Sequence, residues 1–142
     1  MIKRLIKSIE GLEVAAKIHA IVGEGPAWNA ELGVLHSVDI RGEKVYTYDP
    51  ALGTLEYFST KSAPGAVLPT TGNKLAIALV DGIYLANLDG SNLDNKFMIE
   101  AEILGNRMND AKCDPNGVLF AGTMGEKKSP SGSLYRINSE GF

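Results

Sequence analysis

The sequence predicts an all-β fold assembled from β-propeller blades, each of about four antiparallel strands. Three observations carry that prediction. A layout of turn, apolar strand, Gly-containing reversal and Tyr-bearing strand recurs from Gly33, Asn73 and Gly117, with Leu35, Leu75 and Leu119 at matching places 40 and 44 residues apart. A period in the forties is that of four-stranded propeller blades. Short apolar runs alternate with a period of two, and the 16 glycines and 6 prolines are spread between them, which disfavours a helical bundle.

At the start of the chain, Ile2, Leu5, Ile6 and Ile9 share one helical face, so a short amphipathic helix or an edge strand is expected there. Blades are expected over about 20–62, 63–105 and 106–142 of a single domain, with 12–20 as a closing strand. In the first, "KVYTYDP" sets Val45, Thr47 and Asp49 on one face and Tyr46 and Tyr48 on the other. In the second, Asp81-Gly82 is expected to make a two-residue hairpin turn, since a type I′ turn needs positive φ. Asn95 to Leu104 then reads as an outermost strand. In the third, "DPNG" gives Pro115 a fixed φ and Gly117 the turn exit.

Composition narrows the function classes. With 142 residues, 44% hydrophobic and 22% charged, the chain has the make-up of a folded globular protein and the length of one ordinary domain. Fourteen basic against 17 acidic residues, with no basic block beyond a pair, argues against nucleic acid as a partner. No run approaches the ~18 apolar residues of a membrane span. Lys7, Glu10 and Glu13 interrupt the first apolar stretch, so it lacks a signal-peptide core. A lone Cys113 leaves no disulfide framework and suits a reducing, cytoplasmic setting.

Counting back from the shared leucine, Glu24-Gly25-Pro26, Pro64-Gly65 and Met108-Asn109 precede the three repeats at corresponding places. In a propeller the innermost strands run along one axis, so their first residues meet around one opening. Arg107, Asn109 and Asp110 of "RMND" are therefore expected at that mouth near Glu24, where polar groups stay solvated and can hold a ligand.

"GEGPAW" (Gly23 to Trp28), "VDI" (Val38 to Ile40), "NRMNDAKCDPNGVLFAGTM" (Asn106 to Met124) and "GSLYRI" (Gly132 to Ile137) resemble the gluconolactonase, regucalcin and luciferin-regenerating enzyme family. The resemblance runs from about Ile18 onward. It implies a six-bladed propeller, of which this chain holds roughly three blades, and a sugar lactone hydrolase that uses one divalent cation, Ca²⁺, Zn²⁺, Mg²⁺ or Mn²⁺. It implies Glu24 as a metal ligand, with Arg107, Asn109 and Glu126 as substrate contacts; Lys127 competes with Glu126 for its place. The family's other two ligands belong to a Gly-x-x-Trp-Ser and a Pro-Asp-Gly string, neither of which occurs here, and its general base lies in the same missing part. Impaired turnover is therefore expected, and a non-enzymatic calcium-binding or other binding module is the alternative. The chain reads either as half of a longer protein or as a unit of which two copies complete a ring.

Plainer roles are expected elsewhere. His19 and His36 are expected as packed or exposed strand residues and Cys113 as a small buried one. Trp28 is expected to fill space between blades, Asp110 to make an Asx-type turn, and Asp39 at most to cap a turn.

Overall fold

A computed structural model describes residues 11–126 and 130–138. The expected N-terminal helix or edge strand lies outside these residues, as does Lys127. Eleven strands form three antiparallel sheets, and the described residues contain no helix. No helix among them is therefore long and apolar enough to cross a membrane.

Blade 1 is β1 (Gly23–Asn29), β2 (Val34–Asp39), β3 (Lys44–Asp49) and β4 (Thr54–Ser59), in that spatial order. Blade 2 is β5 (Ala66–Thr70), β6 (Lys74–Leu79), β7 (Gly82–Asn87) and β8 (Asp94–Met98). Blade 3 holds β9 (Asn106–Cys113), β10 (Leu119–Gly125) and β11 (Leu134–Ile137), three described strands against four in the others. The innermost strands adjoin in sequence, β1 beside β5 and β5 beside β9, so the sheets fan around a common axis.

Register explains the repeat. Leu35, Leu75 and Leu119 all lie on second strands, opposite Trp28, Pro69 and Cys113 of the innermost strands. Each blade has a leading face that meets the next blade and a trailing face that meets the previous one. Val38 and Val45 on the leading face of blade 1 pack against Val67, Leu75 and Ile77 on the trailing face of blade 2. Ala66, Ala76, Ala78 and Ile83 on the leading face of blade 2 pack against Met108, Leu119, Ala121 and Ile137 of blade 3. Tyr46 is buried on the opposite face from Val45, as the alternation of "KVYTYDP" requires.

Turn chemistry departs from expectation once. Leu79 pairs with Gly82, so the two loop residues are Val80 and Asp81, and Gly82 opens β7. Its φ of 148° and its contact with the Phe97 carbonyl leave no room for a Cβ, which is why glycine stands there. The Asp114–Gly117 turn forms as expected: Gly117 has φ 81° and donates to the Asp114 carbonyl at 3.0 Å.

Four readings need correction. The outer strand of blade 2 ends at Met98, not Leu104, because Glu100 turns the chain with φ 52° and Ile103 then donates to the Glu100 carbonyl. Trp28 is 53% exposed, since it shares its face with Leu35 and no blade among the described residues covers that face. Cys113 is exposed, being the last residue of β9, beyond the blade 2–blade 3 core. His19 is exposed and outside any strand with φ 51°, whereas His36 is fully buried in β2. The expected closing strand is a separate matter: residues 12–20 pair with no strand among the described residues.

Candidate functional site

The starts of the innermost strands do converge. A Cβ built on Gly65 would collide with the Asn109 carbonyl oxygen and stand 2.9 Å from that of Met108. A Cβ on Gly25, beside Glu24, would lie 4.0 Å from the Gly65 carbonyl oxygen. The Gly25, Gly65 and Asn109 backbones thus meet around one opening, and the absence of a Cβ on Gly65 permits its close approach to Asn109.

The side chains there are divided among separate hollows. Arg107 and Glu126 share the largest, a cavity of about 900 Å³ also lined by Arg41, Glu43, Ala63 and Val80. Arg107 Nη1 donates to the Met108 carbonyl at 2.9 Å, which fixes the guanidinium, and Nε stands 3.6 Å from Glu126 Oε1. The Glu126 N–H donates to the Gly105 carbonyl at 2.8 Å, tying the end of β10 to the start of β9. Glu24 is exposed and borders a different cavity, with Leu35, Ser37, Tyr48 and Leu55. Asn109 and Asp110 border a third, shallow hollow with Lys112, Phe120 and Leu134. Asp110 Oδ1 accepts the Ala111 N–H at 2.8 Å, a local backbone bond.

A divalent cation would need several oxygen or nitrogen ligands converging on one point. Among the described residues no three His, Cys, Asp or Glu side chains gather in that way. Glu24 thus belongs to no such group of three, and the described residues do not fit a complete cation site.

Two buried carboxylates organise this end of the fold: Asp39, which caps the β2–β3 turn as expected and also reaches beyond it, and Glu100, which sequence reading does not single out. Asp39 accepts the N–H groups of Ile21 at 2.8 Å, Val22 at 2.9 Å and Gly42 at 2.9 Å. Burial pushes its carboxyl up, but the backbone donors and Lys44 outweigh this and hold it below the usual range. Glu100 accepts from Asn106 at 2.7 Å, Tyr135 Oη at 2.8 Å and Thr123 Oγ1 at 3.1 Å. Its carboxyl too is raised by burial and lowered further by these donors and Ser133, ending below the usual range. The Glu100 oxygen in turn pushes the Tyr135 phenol up. Asn106 also donates to the Ser131 carbonyl at 3.0 Å and accepts from its hydroxyl, so Glu100 joins the start of β9 to the β10–β11 connection. Arg41 and Glu43 were also passed over; the only signal was their place in the β2–β3 turn, at the same end as Arg107.

Comparison with known proteins fits this architecture. A Bacillus subtilis protein named as a sugar lactone lactonase, YvrE, is 36% identical over 127 residues, covering 89% of this chain and 44% of that protein. The solved luciferin-regenerating enzyme superposes with a TM-score of 0.79 at 27% identity, over 87% of this chain and 44% of its own. Regucalcin from Agrobacterium tumefaciens, described as a calcium-binding protein, gives 0.79 and 27%, over 87% and 42%. The chain thus spans under half the length of these relatives, and its three sheets are roughly three of the six blades of a six-bladed propeller. Residues 22–141 match the SMP-30/gluconolactonase/LRE-like region, and the chain belongs to that family.

Proposed function

We propose that this chain forms the substrate-facing part of a sugar lactone hydrolase, with Arg107, Asn109 and Glu126 contacting the lactone. The observation that carries the reading is the rim cavity in which the anchored Arg107 guanidinium faces the exposed Glu126 carboxylate. Hydrolysis adds water across the acyl C–O bond, and negative charge grows on the carbonyl oxygen. Arg107 has five N–H donors and uses one on the Met108 carbonyl, so the rest can meet that oxygen or the ring hydroxyls. Glu126 accepts from the hydroxyls and fixes the approach of the ring.

Glu24 is assigned as one carboxylate ligand of a divalent cation, Ca²⁺, Zn²⁺, Mg²⁺ or Mn²⁺, whose remaining ligands come from outside the described residues. A cytoplasmic setting goes with this reading and is supported by the free Cys113 thiol. The second reading is a calcium-binding or other binding module without turnover, favoured by the lack of any cluster of three ligand-type side chains among the described residues.

The test is an NMR titration with gluconate, the stable product of gluconolactone hydrolysis. Backbone amide shifts are expected at Gly105, Arg107 and Asn109 and should vanish in Arg107→Ala. Saturating shifts elsewhere, or none, would remove the sugar-binding reading. Hydrolysis separates the two readings once a polypeptide carrying the remaining ligands is added: only the first expects turnover then, while the chain alone stays near the uncatalysed rate.

A further inference from the structure

The three matching leucines expose an asymmetry in the molecule. Leu75 and Leu119 are 0% and 2% exposed because each lies on a trailing face with a blade packed against it. Leu35 holds the same place on blade 1, where only the unpaired segment 14–18 partly covers it. Trp28 and Tyr57, 53% and 59% exposed, lie on this same trailing face by register. At the other end, Phe120 and Gly122 occupy the places that Ala76 and Ala78 hold on blade 2. Those alanines are buried against blade 3, whereas Phe120 and its neighbour Leu134 stand open to solvent.

Among the described residues, the leading face of blade 3 thus has no blade ahead of it and the trailing face of blade 1 none behind it. These are the two halves of a junction that the chain already makes twice. Large and small residues sit side by side on each, Phe120 with Gly122 and Leu35 with Ser37, as interdigitation requires. Lys112 and Arg136 flank Phe120 on the leading face, with Asp110 near them. Apolar patches of this kind mark interaction surfaces.

Strand counts point the same way. β11 has no outer neighbour among the described residues, although blades 1 and 2 each carry a fourth strand. Residues 12–18 of the same chain have no pairing partner, and Ile18 is held on the trailing face by its carbonyl, which accepts from Tyr46 Oη at 3.3 Å. Any blade docked on that face would place its outer edge beside this segment.

We propose that the occupant is a second copy of this chain. The leading face of blade 3 in each copy packs on the trailing face of blade 1 in the other, and residues 12–18 add a fourth strand to the partner's β11. Three of six blades span half a turn, so two copies related by a two-fold axis close the ring with no edge left over. The two copies of Glu24 then face one opening, the arrangement a single chain lacks.

Light scattering on the 142-residue chain tests this, with emission of Trp28, the one tryptophan, as a local reporter. The mass of two chains is expected at micromolar concentration, with a blue shift as dilute protein is concentrated. Trp28→Glu damages the trailing face and Leu134→Glu the leading face, both at exposed positions, with circular dichroism confirming that each variant stays folded. Each alone is expected to be monomeric. Their mixture keeps one intact junction, so it should yield a dimer and blue-shift the Trp28 remaining in the Leu134→Glu chain. Ala15→Pro, which removes a strand donor, should weaken the dimer at least tenfold. A monomer at 100 µM and below, an open-ended series of oligomers, or a dimer indifferent to all three substitutions would overturn the proposal. The outcome is independent of sugar binding, so the two readings fail separately.

Discussion

The backbone of Gly65 lies so close to that of Asn109 that a single methyl group on Gly65 would collide with the Asn109 carbonyl. Nothing flexible can give way there, because the obstruction is main chain. Gly65→Ala should therefore destabilise the fold by about 1–3 kcal/mol, the usual penalty for overpacking. Urea unfolding checks the magnitude. Amide shifts concentrated at Met108 and Asn109 would locate the damage at the axis.

Asp39 gathers three backbone N–H groups from both sides of β2, so it fastens the approach to blade 1 onto the β2–β3 turn. Asn at this place keeps an acceptor for Val22 and Gly42 but turns an amide donor toward Ile21. Asp39→Asn should lower stability at neutral pH by about 1–3 kcal/mol. The folded carboxyl titrates below its unfolded value, so its contribution is complete above about pH 4 and fades as pH falls through the lower folded value. Urea midpoints of wild type and variant should therefore converge on acidification; a constant gap down to pH 2 would contradict this.

The Glu100 network gives a spectroscopic handle. The carboxylate raises the Tyr135 phenol, so one of the five tyrosines should ionise late in an alkaline ultraviolet titration. Glu100→Gln should move the ionisation of Tyr135 to lower pH. Glu100→Ala should also cost about 2–4 kcal/mol, since Asn106 and Thr123 lose a buried acceptor.

Cation binding by the isolated chain should be weak. With Glu24 as the one described carboxylate at its place, calorimetry with Ca²⁺ is expected to find a Kd of about 1 mM or weaker, the range of sites poor in ligand charge. Gluconolactone hydrolysis should stay near the uncatalysed rate. Fast hydrolysis abolished by Glu24→Ala would show that this chain alone carries a working centre.

Local chemistry made much of the fold legible. The Leu35–Leu75–Leu119 spacing fixes blade register because a strand's period of two and its turns are set within a few residues. The Asp114–Gly117 turn is likewise local. Trp28 and Cys113 defeated sequence reading because burial depends on what covers a face, and no property of a side chain states that. The turn cap by Asp39 was legible, but its other bonds and the role of Glu100 were not, for a related reason: their partners include Val22, 17 residues away, and Tyr135, 35 residues away. The Arg107–Glu126 pairing was half visible, since the motif named both residues but not the separate hollows holding Glu24 and Asn109.

Each sheet is a sequential meander in which every strand pairs only with the strand just before or after it. The hydrogen-bond ladders of a blade are therefore complete once about forty consecutive residues are free to fold, with no need to wait for distant chain. Such short-range wiring favours quick, piecewise formation during synthesis and leaves only the docking of finished blades as the long-range step. It also means that gene duplication can lengthen or shorten the array by whole blades without rewriting the bonds inside any of them.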